Sequence, residues 1–447
     1  MFEHSRGLFW AFMARLRTSL DELRASGPDG RELADEFENL SHQLETPMTS
    51  LGEDGEHGQR VRRVQRDWNV VVDKIRSTDG FSNFLLPPSY DDLRVAAIGG
   101  PVIILNASRH SYDAVVVLAN AEPIHIAFPE GTFAKIVTMK TDFEHIRDRL
   151  AHQQDSEEKE RDEKRLVILL RGLWYSIVWE VVRRLELHVP KNSRIWWCPT
   201  GAFTSLPIHA AHPYRKGEYG LSDIYVSSYT PTLSALIRSR NKQNAQQGVP
   251  SFVSIGQSDA VGHNPLLSVR QELDLVRQLL SKSVQLTELS DEAATREAAL
   301  TALRTHAFAH LACHGQQVPE RPYDSYFAMH DTRLTLLDII HSQFGHEAKF
   351  AFLSACKTAT GDVDAPDEVI HLAAALQFAG VRNVVGTMWS VDDQAVVHTV
   401  EAFYRAIVRK DSVFDPTRAA RALRAATRAT KDRVPLDQRI VFIHIGI

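Results

Sequence analysis

Phe308-Ala309-His310-Leu311-Ala312-Cys313-His314-Gly315 and Phe350-Ala351-Phe352-Leu353-Ser354-Ala355-Cys356 are two short apolar runs, each stopping on a residue able to do chemistry. Runs of this length with almost no alternation are the pattern of strands buried on both faces of a parallel sheet. Open α/β sheets build their sites at the carboxyl ends of their strands. His314 and Cys356 are therefore expected to meet at one rim. An imidazole beside a thiol gives a thiolate–imidazolium pair, nucleophilic at neutral pH.

Working outward, more strand and helix patterns alternate around these two runs. Strands are expected at 252–256, 306–314, 349–356, 384–388 and 440–446, and helices at 268–281, 367–379, 394–409 and 416–431. This alternation implies an α/β fold with a mostly parallel sheet covered on both faces. Upstream, 102–105, 114–118, 124–128 and 194–199 read as strands, with a helix over 164–187. The run Asp155 to Arg165 (DSEEKERDEKR) reads as a solvated loop or frayed helix end, with 153–164 mobile. The first eighty residues read as helical. Leu33, Phe37, Leu40 and Leu44 form one stripe. Phe9, Met13, Leu16, Leu20 and Leu23 form a second, and Trp68, Val71, Val72 and Ile75 a third. Thr46 to Gly58 reads as a polar loop. Three amphipathic helices fit the tail of a helical-repeat array, which would make the chain a piece of a longer protein.

Composition narrows the function classes. A formal charge of −5 over 447 residues, with no dense basic patch, argues against a nucleic-acid partner. No apolar run approaches the length of a membrane span, and the N-terminus lacks the order of a signal peptide. Three cysteines, Cys198, Cys313 and Cys356, are too few for a disulfide framework and lack metal-ligand spacing. No cofactor is called for, because Gly-x-Gly-x-x-Gly and the phosphate loop are both absent. These readings place the chain in the cytosol.

The tract from Arg194 to Ile447 resembles a CHAT domain, a caspase-like module of the clan that includes caspases and separase. The resemblance rests on five pieces: CPTGAFTSLPIHAA (198–211), HLACHG (310–315), FLSACKTATGD (352–362), DEVIHLAAALQFAGVRNVVGTMWSVDD (367–393) and IVFIHIGI (440–447). A His upstream of a Cys is also the chain order of caspase-type peptidases. Residues 80–108 resemble the lead-in of fungal proteins that join tetratricopeptide repeats to a CHAT domain. One departure is visible: the family often carries a Trp before the last strand, where this chain has Pro435-Leu436-Asp437-Gln438. The resemblance implies a helical segment over 1–80, a pseudo-protease-like α/β region over 81–250 and a caspase-like catalytic domain over 251–447.

On that reading His314 and Cys356 are the catalytic pair of a cysteine endopeptidase acting on protein substrates. The backbone N–H groups of Gly315 and Cys356 would form the oxyanion hole. Cys356 could instead be an inert buried thiol, the common fate of a free cysteine. Cys313 and Cys198 read as core packing. By match to separase, Asp393 would line the pocket for a basic P1 side chain; otherwise Asp392 and Asp393 only cap the helix that follows. His263, His310 and His330 are scattered singly and call for no function. The N-terminal helices would bind a regulatory partner. The rival from another class is a protease-like signalling scaffold with little or no turnover.

Overall fold

The computed structural model describes residues 20–49, 55–107, 111–129, 131–152, 155–241, 249–318, 321–342, 348–355 and 372–447. These residues form two compact units, divided between Asp92 and Leu93.

In the first unit the apolar stripes become α1 (Asp21–Ala25), α2 (Pro28–Thr49) and α3 (Gly55–Arg76). Phe37 and Leu44 of α2 and Trp68, Val71, Val72 and Ile75 of α3 are buried, as their spacing requires. Phe37 packs on Trp68 with ring centroids 5.6 Å apart, and Trp68 Nε1 donates to Ser41 Oγ at 3.0 Å. The buried indole is thus both packed and satisfied. Of the expected loop over 46–58, residues up to Thr49 belong to α2 and those from Gly55 on to α3; residues 50–54 lie outside the described residues. Phe9, Met13 and Leu16 lie outside the described residues.

The second unit is built on one eleven-stranded sheet. Its strands are β1 (Val102–Ala107), β2 (Tyr112–Val117), β3 (Ile124–Ala127), β4 (Arg194–Pro199), β5 (Val226–Tyr229), β6 (Ser251–Gly256), β7 (Gln285–Ser290) and β8 (Phe308–Ala312). A three-stranded sheet of β9 (Gly315–Gln316), β10 (Tyr326–Ala328) and β11 (Arg333–Thr335) follows at the end of β8, and then β12 (Phe350–Leu353), β13 (Asn383–Thr387) and β14 (Phe442–Gly446). The order in the large sheet is β3-β2-β1-β4-β5-β14-β13-β12-β8-β6-β7. Pairing is parallel except for β1–β2, β2–β3 and β13–β14. Because β14 runs antiparallel to β13 but parallel to β5, strands β1, β3, β4 and β5 point opposite to β8, β12 and β13, while β2 points with them. The carboxyl ends of β4 and β8 therefore lie at opposite edges of the sheet.

Helices cover both faces, as the uninterrupted burial of β8 and β12 demands. Those that matter most here are α4 (Thr132–His152), α5 (Ser156–Leu173), α6 (Val269–Leu280), α7 (Arg296–Thr305), α8 (Leu372–Ala379), α9 (Asp393–Ile407) and α10 (Ala419–Ala429). Phe252 of β6 packs on Tyr404 of α9, and Phe350 and Phe352 of β12 pack on Phe403, while Phe308 of β8 packs on Phe414 and Phe442 closes the cluster on Phe352. Each such ring contributes about 1.5–3 kcal/mol by leaving water.

The run from Asp155 to Arg165 is a helix and not a loop. Asp155 caps α5, accepting from the N–H groups of Glu157 and Glu158. Glu157–Arg161 and Glu160–Lys164 pair along its exposed side at i,i+4 spacing. Asp162 faces inward, held by Arg149 Nε and an Arg165 guanidinium nitrogen at 2.9 Å each. The helix continues through a π turn at 174–178 to Leu185. Residues 153 and 154 lie outside the described residues.

Candidate active site

Four chain segments converge at the carboxyl edge of β8. Past Ala312 the chain leaves the strand, Cys313 turns into the core, and His314 stands half-buried at the rim. Neighbouring β12 pairs in parallel from Phe350 opposite Phe308 to Leu353 opposite Leu311, and the Ser354 N–H still donates to the Leu311 carbonyl at 2.8 Å. The described part of this segment ends at Ala355. Cys356 and the polar run after it lie outside the described residues.

The other two segments are the starts of α6 and α9. Gly256 closes β6 where α6 crosses it; a Cβ there would stand 2.5 Å from Leu273 Cδ1 and 2.9 Å from Val269 Cγ1. Only glycine lets this helix sit so close to the strand end. At α9 the capping role falls to Asp392, whose carboxylate accepts from the Gln394 and Ala395 N–H groups. Asp392's own N–H donates to Gln438 Oε1 at 2.7 Å, which ties α9 to the segment before β14. Asp393 faces another way: its Oδ2 accepts the Leu267 N–H at 3.0 Å. Together these segments line a narrow cleft that includes Ser268, Glu272, Cys313, His314, Ser354 and Asp393. Both helices turn their N-termini toward it, which favours negative charge there.

His314 is oriented by backbone. Its Nε2 donates to the Asn264 carbonyl at 2.6 Å, which leaves Nδ1 as the basic nitrogen. The ring stacks on His263 at 4.7 Å, and Tyr326 OH lies 3.4 Å from the His263 Nε2. Desolvation holds the His263 pKa below its ordinary value, reinforced by the charges of His314 and Arg333. Gly315 opens β9 opposite Phe327 of β10.

A buried polar group sits in the same wall. Glu272 of α6 approaches His310 Nε2 to 3.0 Å, and His310 Nδ1 lies 3.0 Å from Tyr404 OH. The Glu272–His310 contact is close but too poorly aligned to be a formed hydrogen bond. Burial and the Glu272 carboxylate push the Tyr404 pKa up, so its hydroxyl stays protonated and donates to His310. His263 and His310 are thus not scattered residues but partners within this corner of the fold. Sequence reading missed them, together with Glu272 and the Asn264 carbonyl. Only the turn pair Asn264-Pro265 offered a signal, and it marks a loop without saying what the loop holds.

A mostly parallel sheet of this order, helices on both faces and a rim site after the His-bearing strand define a caspase-like fold. The chain belongs to the CHAT domain family, whose match spans residues 168–437. No curated protein matches it. Among solved structures it is similar to Saccharomyces cerevisiae separase in its complex with securin, at 10% identity and a TM-score of 0.53. That match covers 97% of this chain but only 37% of the separase chain. Matches to the Arg specific cysteine proteinase gingipain R (9% identity, TM-score 0.39, 69% of this chain and 75% of that one) and to the pro- and mature domains of Porphyromonas gingivalis RgpB (10%, 0.40, 71% and 77%) are weaker. Among the described residues no helix is long and apolar enough to cross a membrane, and no cluster of His, Cys, Asp or Glu could hold a metal ion.

Proposed function

We propose that this chain is a cysteine endopeptidase of the caspase/separase type, working in the cytosol on protein substrates. The observation that carries the reading is the orientation of His314. Its Nε2 is committed to a backbone carbonyl and its ring lines a cleft that Ser354 also lines, two residues before Cys356. The register of β12 against β8 keeps a constant offset of 42 residues, Phe350 against Phe308. The same offset of 42 residues separates Cys356 from His314 in the sequence.

In this reading the Cys356 thiolate attacks the scissile carbonyl carbon, and the oxygen takes up the negative charge. The N–H groups of Gly315 and Cys356 receive that oxyanion, helped by the N-termini of α6 and α9. The C–N bond breaks, His314 protonates the departing amine, and a thioester remains. Water then attacks the thioester with His314 as base, releasing the acid and restoring the thiol. Asp393 contributes preference for Arg or Lys at P1 by a charge-assisted contact. The N-terminal helices, as the end of a tetratricopeptide-type array, bind a protein partner that controls access.

An acyloxymethyl-ketone probe tests this directly. It is expected to label the 447-residue chain once, and labelling is lost in Cys356→Ala and reduced by at least tenfold in His314→Ala. Undiminished labelling of Cys356→Ala would leave the protease-like scaffold as the better description.

A further inference from the structure

A cavity of ≈ 580 Å³ lies away from the candidate active site, between β5, β14 and α10. Its lining carries four basic side chains, Arg424, Arg428, Lys431 and Arg439, against one carboxylate, Asp223. That carboxylate is already engaged: Oδ1 accepts from Arg428 at 2.9 Å, while Oδ2 accepts the Gly220 N–H at 2.9 Å and lies 3.5 Å from His212 Nε2. Among the described residues, Arg424 hydrogen-bonds the neutral Asn192 Oδ1 at 3.2 Å. Arg439 Nε is buried with no hydrogen-bond partner among the described residues. Desolvation lowers the pKa of both Arg424 and Arg439, and for Arg424 the charges of Arg428 and Arg421 add to it. A buried cationic donor without a partner is costly, and one carboxylate cannot balance four cations.

The opposite wall supplies neutral donors. Tyr214 is held in the left-handed conformation at φ +50°, its N–H bonded to His212 Nδ1 at 2.8 Å, and burial pushes its phenol pKa up to about 12. A protonated phenol and cationic guanidinium groups facing one space are the donor set that receives a compact anion with several acceptor oxygens. We propose that this cavity binds a small, multiply charged anion of the oligophosphate class, held by Arg424, Arg428, Lys431 and Arg439. The assignment is independent of the peptidase reading.

Inorganic tripolyphosphate is the probe, titrated calorimetrically into the 447-residue chain at constant ionic strength. Saturable one-to-one binding is expected, at least tenfold tighter than for orthophosphate, with a matching rise in melting temperature. Arg424→Gln and Lys431→Gln should each weaken it tenfold or more. Arg405→Gln, an exposed charge on α9, should leave it unchanged. Lys431 is exposed, so its variant keeps the test valid should a buried arginine variant fail to fold. No saturable binding, or equal losses in Lys431→Gln and Arg405→Gln, would overturn the assignment.

Discussion

Asp393 carries the specificity question at the scale of single residues. Its neighbour Asp392 takes the helix cap, so Asp393 is not needed for that role. One of its oxygens is used by the Leu267 N–H, and a carboxylate has acceptor capacity beyond one bond. Asp393→Asn keeps an acceptor for Leu267 and removes only the charge. Loss of a charge that pairs with a bound substrate costs about 2–5 kcal/mol, and 1.4 kcal/mol is about tenfold in rate. kcat/KM for Arg and Lys peptides should therefore fall at least tenfold, with reaction toward a small thiol reagent unchanged. Equal losses for basic and neutral peptides would mean that Asp393 serves the 264–268 loop instead. Much of this site was legible because strand patterns point at their own ends: His314 follows directly from Phe308 to Ala312. Glu272 and Asn264 were not legible, because what brings Glu272 to His310 and the Asn264 carbonyl to His314 is the packing of α6 and its preceding loop, which local pattern does not encode.

At the scale of elements, α5 shows how a charged run becomes structure. Its i,i+4 pairs and its Asp155 cap stabilise the first turns, and the inward Asp162 ties it to α4 through Arg149. The Arg149 hydrogen bond holds the Asp162 carboxyl below the usual carboxylate range against desolvation, with Arg165 adding to it. A carboxyl with a lowered folded pKa stabilises above its unfolded pKa and loses that contribution as pH falls through the folded value. Asp162→Asn should therefore cost about 1–3 kcal/mol in urea unfolding at pH 7, and less below pH 4. A variant as stable as the parent at pH 7 would show that the pair contributes nothing. The parallel strands β4, β6, β8, β12 and β13 were legible from their apolar runs, whereas β5, Val226-Ser227-Ser228-Tyr229, lies in the middle of the sheet without such a run and was not. Nor was β7, an edge strand whose two apolar residues, Leu286 and Leu289, stand three apart without alternation and which is only partly buried. Helix α4 and the sheet of β9 to β11 were also missed, the latter because two- and three-residue strands leave no periodicity to read.

Across the whole second unit, the seam where the strand direction reverses is held by buried histidines. His444 of β14 lies 3.1 Å from Asn383 Oδ1 on β13, while its other nitrogen is 3.0 Å from an Arg194 nitrogen on β4 and 3.1 Å from Ser228 Oγ on β5. His209, from the turn after β4, donates Nε2–H to the Ile440 carbonyl and accepts from Tyr229 OH at Nδ1, both at 2.9 Å. Both rings must stay neutral to keep these roles. Desolvation lowers the pKa of His209 to about 4 and that of His444 well below 6.5, the latter aided by the Arg194 charge. Below pH 6.5 the unfolded chain therefore takes up protons at these two sites that the folded chain does not, down to about pH 4 for His209. Stability is full above pH 6.5 and should fall on acidification by about 1.4 kcal/mol per pH unit for each histidine. Urea unfolding at pH 7, 6 and 5 measures the slope. His209→Gln preserves an acceptor for Tyr229 and a donor for Ile440 but cannot titrate, so it should flatten the slope by one proton. A parent whose stability does not change between pH 6.5 and 5, or a His209→Gln variant with the parent's slope, would mean that the seam does not depend on neutral imidazole.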